Sequence, residues 1–419
     1  MLASYAESWA INKGSDQTGM EAKKVLLVKY GEISLRKGNR AHFEHQLLDA
    51  IRKSIKDIHS GNLRVFREQG RFLIEDMNGD IDAKAILPHI RHIFGVTGFC
   101  HAVKTTSRDI EDLRPIALEF FKEAFHAQSK SRKISSFKVL TKRSDKKYPM
   151  QSGDVSAAIG EIIWEAGFGL DVDLRTPDIL LVAEIRNHVY FYVDSEPGEG
   201  GLPYGASGKG VLLLSGGFDS PVAGYLTARR GVEIIPIYFH SPPFVSERAA
   251  EKVRDLAKQL AKYTGRIRLC VIPFTDIQLY LKDEIHPEKL TIMLKRAMFY
   301  VANALAEKEN AQCLITGDSI GQVASQTIQS LAAVNSAAKL PVLRPLSAMD
   351  KQEIINIAMK IGTYEISIRP YDDCCTLFVA KHPENKPSTK VIERIDARIY
   401  KNLTPLLAQA LERAEYYEF

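Results

Sequence analysis

The stretch from Leu212 to Pro221, "LLLSGGFDSP", runs an apolar strand into two glycines, a carboxylate and a hydroxyl. Gly216 and Gly217 can take positive φ and, lacking a Cβ, let backbone N–H groups come close to a ligand. Ser220 suits a helix N-cap and Pro221 the first helical position, so a helix is expected directly after Asp219. Amides at a helix N-terminus, helped by the dipole, bind anions. Ser215, Gly216, Gly217, Asp219 and Ser220 together therefore point to phosphate chemistry, with Asp219 placed to hold Mg²⁺ or to orient an α-phosphate. A ligand-free strand-to-helix turn would account for the glycines but not for the flanking Ser and Asp. "GASGKG" at 205–210 is no Walker A loop: Gly210 stands where Ser or Thr would bind magnesium, and the loop precedes its strand.

A second chemical signal is cationic. Between Ser129 and Lys147, eight Lys or Arg face one acid, Asp145, within a chain whose formal charge is +5. Alternation along "FKVLTKR" places Lys138, Leu140 and Lys142 on one side of a strand and Val139, Thr141 and Arg143 on the other. Lys138, Lys142, Arg143, Lys146 and Lys147 are the candidates for phosphate-backbone contacts, where each neutralised phosphate releases counterions. The competing reading is a solvated face.

The elements that must position these residues fall into zones. The 419 residues, 45% hydrophobic and 26% charged, suit two or three globular domains. Residues 1–20 read as a polar, flexible leader and 21–80 as a small α+β sandwich with a helical stripe on Phe43, Leu47, Leu48, Ile51 and Ile55. Residues 81–195 hold the basic strand, 196–210 carry the turn residues of a linker, and from 211 to 400 strands and helices alternate as in a doubly wound parallel sheet. Residues 401–419 are expected to close the chain as a tail helix. No apolar run approaches the ~18 residues of a membrane span, and no secretory signal opens the chain, so a cytoplasmic protein is expected. Five cysteines without C-x-x-C spacing fit a reducing compartment and make neither a disulfide framework nor a metal site.

The motif S-G-G-x-D-S resembles the PP-loop of enzymes that cleave ATP between the α and β phosphates. Together with "KYGEISLRKGNR", "TGDSIGQVASQT", "RPLSAMDKQEII" and "GTYEISIRPYDDCCTLF", it resembles the tRNA 4-thiouridine synthase family, the ThiI-type sulfurtransferases, over residues 24–395. The resemblance implies a ferredoxin-like α+β domain, a THUMP domain and a Rossmann-like PP-loop domain. It implies ATP and Mg²⁺ as cofactors, tRNA as partner, and activation of uridine O4 followed by replacement with persulfide sulfur. Leu213, Leu214, Tyr238 and Phe239 would border the adenosine, Gly317 and Gln326 would contact the nucleotide, Lys295 or Arg296 would add a cation, and Lys351 would stand near the reaction centre. Longer members carry a rhodanese domain that this sequence lacks; sulfur is thus expected as persulfide from a cysteine desulfurase, and a role in thiamin synthesis is left open. Family members also suggest a homodimer.

Cys374 and Cys375 follow "PYDD" in a polar stretch where an incoming persulfide can reach them, whereas Cys270 and Cys313 sit in apolar runs and are expected to pack. The thiolate is the reactive form, and Asp372 and Asp373 oppose it unless cations such as Lys381 compensate. Either cysteine could carry the sulfur, with Cys374 preferred. Two other readings are a non-catalytic RNA-binding module, against which the intact loop speaks, and an ammonia-using PP-loop ligase, which would need no exposed thiol.

Overall fold

The computed structural model describes residues 22–35, 38–56, 58, 62–68, 70–371 and 384–419; the leader 1–20, Cys374 and Cys375 lie outside them. The chain divides into two compact units, Met1–Gly200 and Gly201–Phe419.

The first unit begins with β1 (Ala22–Tyr30), α1 (Arg40–Ile55), β2 (Leu63–Glu68), β3 (Arg71–Asp76), α2 (Ala83–Ile90) and β4 (Val96–Thr105). It continues with α3 (Ile110–Ser129), β5 (Ser136–Arg143), α4 (Ser152–Glu165), β6 (Asp171–Val172), β7 (Ile179–Ile185), β8 (Val189–Tyr192) and β9 (Glu196–Pro197). The predicted stripe of α1 is buried at Phe43, Leu47, Ile51 and Ile55. Asp82 and Asp109 cap α2 and α3 by accepting first-turn backbone amides. The strands form one sheet in the order β2-β3-β1-β4-β8-β7-β5-β6, with β9 against β4.

The expected boundary at 80/81 falls inside this sheet. β4 pairs antiparallel with β1 from Ala22↔Thr105 to Tyr30↔Val96, and its end also pairs with β8 through Ala102↔Tyr192. The ferredoxin-like half thus includes β4. Which strands pair is a non-local matter, so local composition could not place the boundary. The expected linker is likewise ordered at both ends, with Glu196–Pro197 paired to β4 and β10 beginning at Lys209.

α3 and α4 cover the half of the sheet that follows β4, where Leu113, Phe121 and Ile159 pack with Phe137 and Leu181. The opposite face joins both halves: Val25, Leu27, Leu73, Cys100, Val182 and Tyr190 share one cluster. On that face Arg71 of β3 donates to Glu184 of β7, and both are buried. Three strands intervene, and strand spacings of roughly 4.8 Å would hold the pair apart in a flat sheet, so the sheet curls to let them meet. Burial alone would raise the Glu184 carboxyl, but the Arg71 and Arg186 guanidiniums outweigh it and hold it below the usual carboxylate range.

The second unit contains β10 (Lys209–Leu213), α5 (Asp219–Arg229), β11 (Glu233–His240), α6 (Glu247–Thr264), β12 (Arg268–Pro273), α7 (Thr275–Glu284), α8 (Pro287–Glu309) and β13 (Cys313–Ile315). α9 (Ile328–Asn335), β14 (Val342–Leu343), α10 (Lys351–Lys360), α11 (Tyr364–Ser367), α12 (Thr389–Glu412) and β15 (Glu415–Glu418) follow. The sheet order is β14-β13-β10-β11-β12-β15, parallel except for β15. Leu212 of β10 faces Gly224 of α5, while Val211 joins α8 in the main core, which gives the expected helices on both faces.

The tail departs from expectation. α12 ends at Glu412, and Glu415–Glu418 adds an antiparallel edge strand to β12, with Arg268 over the Tyr416 ring and Arg254 over Tyr417. "EYYE" alternates with the period of a strand, and its aromatic rings find cations on the neighbouring elements.

The Arg71–Glu184 pair makes a pH prediction. A carboxyl whose folded pKa is depressed adds stability that is present above its unfolded value of about 4.3 and is lost as pH falls through the folded value. Glu184→Gln leaves Arg71 with the more distant Glu68 carboxylate, 3.7 Å away, and is expected to cost the first unit about 3 kcal/mol at neutral pH. Urea unfolding followed between pH 7 and pH 3 should also show a shallower acid dependence than in the wild type.

Candidate functional site

The chain leaves β10 for β11 on one side and returns to β13 on the other, so the sheet reverses direction of travel between β10 and β13. Ligands of doubly wound sheets bind outside the strand carboxyl ends at such a point. A cavity of about 270 Å³ opens there. Leu213, Leu214, Ser215, Asp219 and Ser220 line it from the first crossover, Tyr238 and Phe239 from the end of β11, and Gly317 from the end of β13. Lys295 of α8 and Gln326, in a 3-10 turn before α9, complete its predicted wall.

Helix α5 begins at Asp219, one residue before the expected start, and Phe218 takes the N-cap position with no side-chain cap. Ser220 is therefore not the cap. Its hydroxyl is engaged by the loop, accepting from the Ser215 amide at 2.8 Å and lying 3.1 Å from the Ser215 hydroxyl. The turn is thus held closed from within, and the first-turn amides of α5 keep no helical acceptor. Gly216 packs on a side chain: a Cβ there would lie 2.8 Å from Cε of Lys252 and would have to displace that ammonium arm. Gly317 is forced by its neighbour, since a Cβ there would meet the Ser220 amide at 2.7 Å and the Asp219 carbonyl carbon at 2.8 Å.

Two carboxylates differ sharply. Asp318, directly after Gly317, accepts from Thr316 Oγ1 at 2.8 Å and is flanked by Lys295 Nζ at 3.3 Å and Arg344 Nε at 3.5 Å. Burial alone would raise it, but Lys295, Thr316 and Arg344 hold it below the usual range. Asp219 is pushed up, first by burial and further by the Asp318 charge, against the pull of Gln322 and Lys351. Its Oδ1 is buried with no hydrogen-bond partner among the described residues. An acceptor of that kind, at a helix N-terminus, suits a cation or a proton-bearing ligand group. Gln326 Oε1 is buried without a partner as well.

The structure separates residues that sequence alone left together. Arg296 does not line the cavity: it is buried among Ala333, Ser336, Tyr300 and Asp396, which accept from its Nη1 and Nη2. Its neighbour Lys295 turns the other way, as successive positions on a helix must. Lys351 begins α10 behind an Asp350–Glu353 capping box, with its ammonium 5.9 Å from the Phe218 ring centroid, beside the loop and outside the cavity lining. Cys270 and Cys313 are buried, and burial pushes the Cys270 thiol up to about 11. Asp318, Thr316 and Arg344 were not singled out from sequence; a carboxylate immediately after a strand-ending glycine was the available signal for the first.

In the first unit, Val139 and Thr141 face inward and Lys142, Lys146 and Lys147 are exposed. Arg143 is instead committed to its own loop, donating to the Tyr148 and Met150 carbonyls, Ser152 Oγ and Gln151 Oε1. Lys138 donates to the Leu174 carbonyl.

Because the Gly317 contact is backbone against backbone, Gly317→Ala must displace the first turn of α5 or the end of β13. The expected result is a loss of about 1–3 kcal/mol in unfolding free energy and weaker binding of any nucleotide, read by titration calorimetry.

Three family models match the chain in order: a ThiI ferredoxin-like domain at residues 25–100, a THUMP domain at 107–194, and the thiamine biosynthesis protein ThiI at 205–400. A probable tRNA sulfurtransferase of Lachnoclostridium phytofermentans is 44% identical over 94% of this chain and 98% of its own. Another from Acetivibrio thermocellus is 43% identical over the same shares. Among solved structures, a 4-thiouridine synthetase in an RNA complex with bound ATP superposes with a TM-score of 0.84 at 37% identity, covering 95% of this chain and 100% of that one. A Pyrococcus horikoshii protein at 22% identity and a TM-score of 0.62, covering 81% of this chain and 99% of that one, shares the fold. With a phosphate-type loop at the switch point and this agreement along its whole length, the chain belongs to the ThiI family of tRNA sulfurtransferases.

Proposed function

We propose that this protein converts a tRNA uridine to 4-thiouridine in two steps, the first of which consumes ATP. The observation that carries the reading is the cavity at the β10/β13 switch point, closed by the Ser215–Ser220 loop and holding the unpaired Asp219 oxygen. ATP lies with its adenosine against Leu213, Leu214, Tyr238 and Phe239 and its phosphates at the first turn of α5, with Lys295 adding positive charge. Uracil O4 bonds to the α-phosphorus and pyrophosphate leaves. The terminal sulfur of an enzyme persulfide then bonds to C4, and AMP departs with O4. A second thiol attacks the remaining sulfur of the carrier, so that the S–S bond breaks with its electron pair on the sulfur retained by the base, and an external thiol reductant regenerates the carrier.

Asp219 fits Mg²⁺, because its buried Oδ1 lacks a protein partner and magnesium is commonly bound by one or two carboxylates plus substrate phosphates; bound there, the ion would neutralise phosphate charge. Cys374 or Cys375, outside the described residues, carries the sulfur from a cysteine desulfurase. The reading includes a cytoplasmic homodimer; among the described residues no helix is long and apolar enough to cross a membrane. Lys138, Lys142, Lys146 and Lys147 contact the tRNA backbone, while Arg143 shapes the loop that presents Lys146 and Lys147.

The two steps can be separated. Asp219→Ala should bind tRNA normally in electrophoretic shifts and lose pyrophosphate release. Serine in place of the sulfur-carrying cysteine should keep pyrophosphate release and abolish 4-thiouridine, measured by nucleoside mass spectrometry with Mg·ATP and a persulfide source. Thiolation at the wild-type rate by Cys374→Ser, Cys375→Ser and their double variant would make the pair structural.

Neutralising Lys142, Lys146 and Lys147 together should weaken tRNA binding without regard to sequence. The slope of log K against log salt should shrink by up to about 0.9 per lost phosphate contact. An unchanged slope would return these lysines to a solvated face.

A further inference from the structure

Helix α6 presents a polar row, Lys252, Asp255 and Gln259, whose spacing places all three on one side of the helix. Each holds the same strip of chain. Lys252 Nζ donates to the carbonyls of Arg369 at 3.0 Å and Tyr371 at 3.2 Å. Asp255 pairs with the Arg369 guanidinium, and Gln259 Nε2 donates to the Ile361 carbonyl at 2.7 Å. Lys252 is only 5% exposed.

The same lysine is the floor of the phosphate loop. A Cβ on Gly216 would come within 2.8 Å of its Cε and 3.3 Å of its Nζ. One ammonium therefore touches both the Gly216 turn and the carbonyls at the end of the strip. Burying an ammonium is costly unless its donors are satisfied, so its bonds to two carbonyls fix the strip with a directionality that apolar packing would lack. In sequence the strip continues from Tyr371 to Cys374 and Cys375, three and four positions on.

We propose that Lys252 is a positioning residue for the sulfur-transfer step, holding the strip that ends at Tyr371 against the phosphate loop so that sulfur delivery and base activation share one location. The proposal rests on the sulfurtransferase reading above. The loop has its own closure in the Ser215–Ser220 hydrogen bonds, and Asp255 and Gln259 hold the strip at Arg369 and Ile361.

The test uses the full-length protein with tRNA, Mg·ATP and a persulfide donor, and compares pyrophosphate released with 4-thiouridine formed. Lys252→Met keeps the length of the side chain and removes the ammonium. It removes the anchor of the strip and the floor under Gly216 together, so the readout is the ratio of the two products and not pyrophosphate release alone. The yield of 4-thiouridine per pyrophosphate should fall about tenfold or more, as misplacement of reacting groups does. Asp255→Asn, at a half-exposed position, should lower the same ratio about threefold. Equal loss of both products in Lys252→Met would mean that the lysine serves the phosphates, and retention of both that it serves folding alone; either overturns the proposal. If Lys252→Met does not fold, by circular dichroism, an unchanged ratio in Asp255→Asn overturns it. Wild-type protein that releases no pyrophosphate would instead defeat the underlying reading.

Discussion

The catalytic unit depends on a close approach between two backbones. The end of β13 meets the first turn of α5 at Gly317, where even one methyl group has no space. That contact brings together two parts of the chain about a hundred residues apart: the loop that presents Asp219 and the segment that presents Asp318. Strand order makes the approach possible, since β13 is the neighbour of β10 on the side opposite β11. The absence of a side chain makes it tight. The first-turn amides of α5 take their position from that junction.

Electrostatics then divides the two carboxylates. Asp318 has its own cations, Lys295 and Arg344, and stays ionised as part of the wall. Asp219 is raised by burial, with Asp318 adding to the effect, and the pull of Gln322 and Lys351 does not offset it. A carboxyl left undersatisfied in a cavity is costly to the fold by itself, and its cost is relieved by whatever cation or ligand group arrives. The loop around it is closed by hydroxyl–amide bonds, so the undersatisfied group is presented on a preformed turn.

Sequence disclosed the parts of this arrangement that are local. The Gly-Gly turn, the strand that feeds it, the alternation of strands and helices and the two-sided alternation of the basic strand are each decided by residues within a few positions of one another. What escaped is long-range. Lys295 and Arg296 look equivalent in sequence, and only the core around Asp396, a hundred residues on, shows that Arg296 is a buried structural cation. Ser220 was read as a cap because caps are local; its hydroxyl instead closes the loop onto Ser215. Arg143 looked like its basic neighbours until the Tyr148 and Met150 carbonyls were seen to occupy it. Position 81 cut a sheet whose continuity depends on β1 meeting β4.

Sulfur chemistry is constrained by the same separation of inside from outside. Cys100, Cys270 and Cys313 are buried. A thiol raised by burial, as at Cys270 and Cys313, holds little thiolate at neutral pH and offers no path to a second sulfur. Such groups are inert packing, and a persulfide carrier has to be sought elsewhere. The proposed carriers, Cys374 and Cys375, belong to the chain that follows Tyr371, whose carbonyl is bonded to Lys252 beneath Gly216. The lysine therefore links the beginning of the candidate sulfur-bearing segment to the turn that would hold pyrophosphate. In a reaction that must first activate an oxygen and then replace it with sulfur, fixing the chain at Tyr371 beneath the Gly216 turn removes a degree of freedom before either substrate binds.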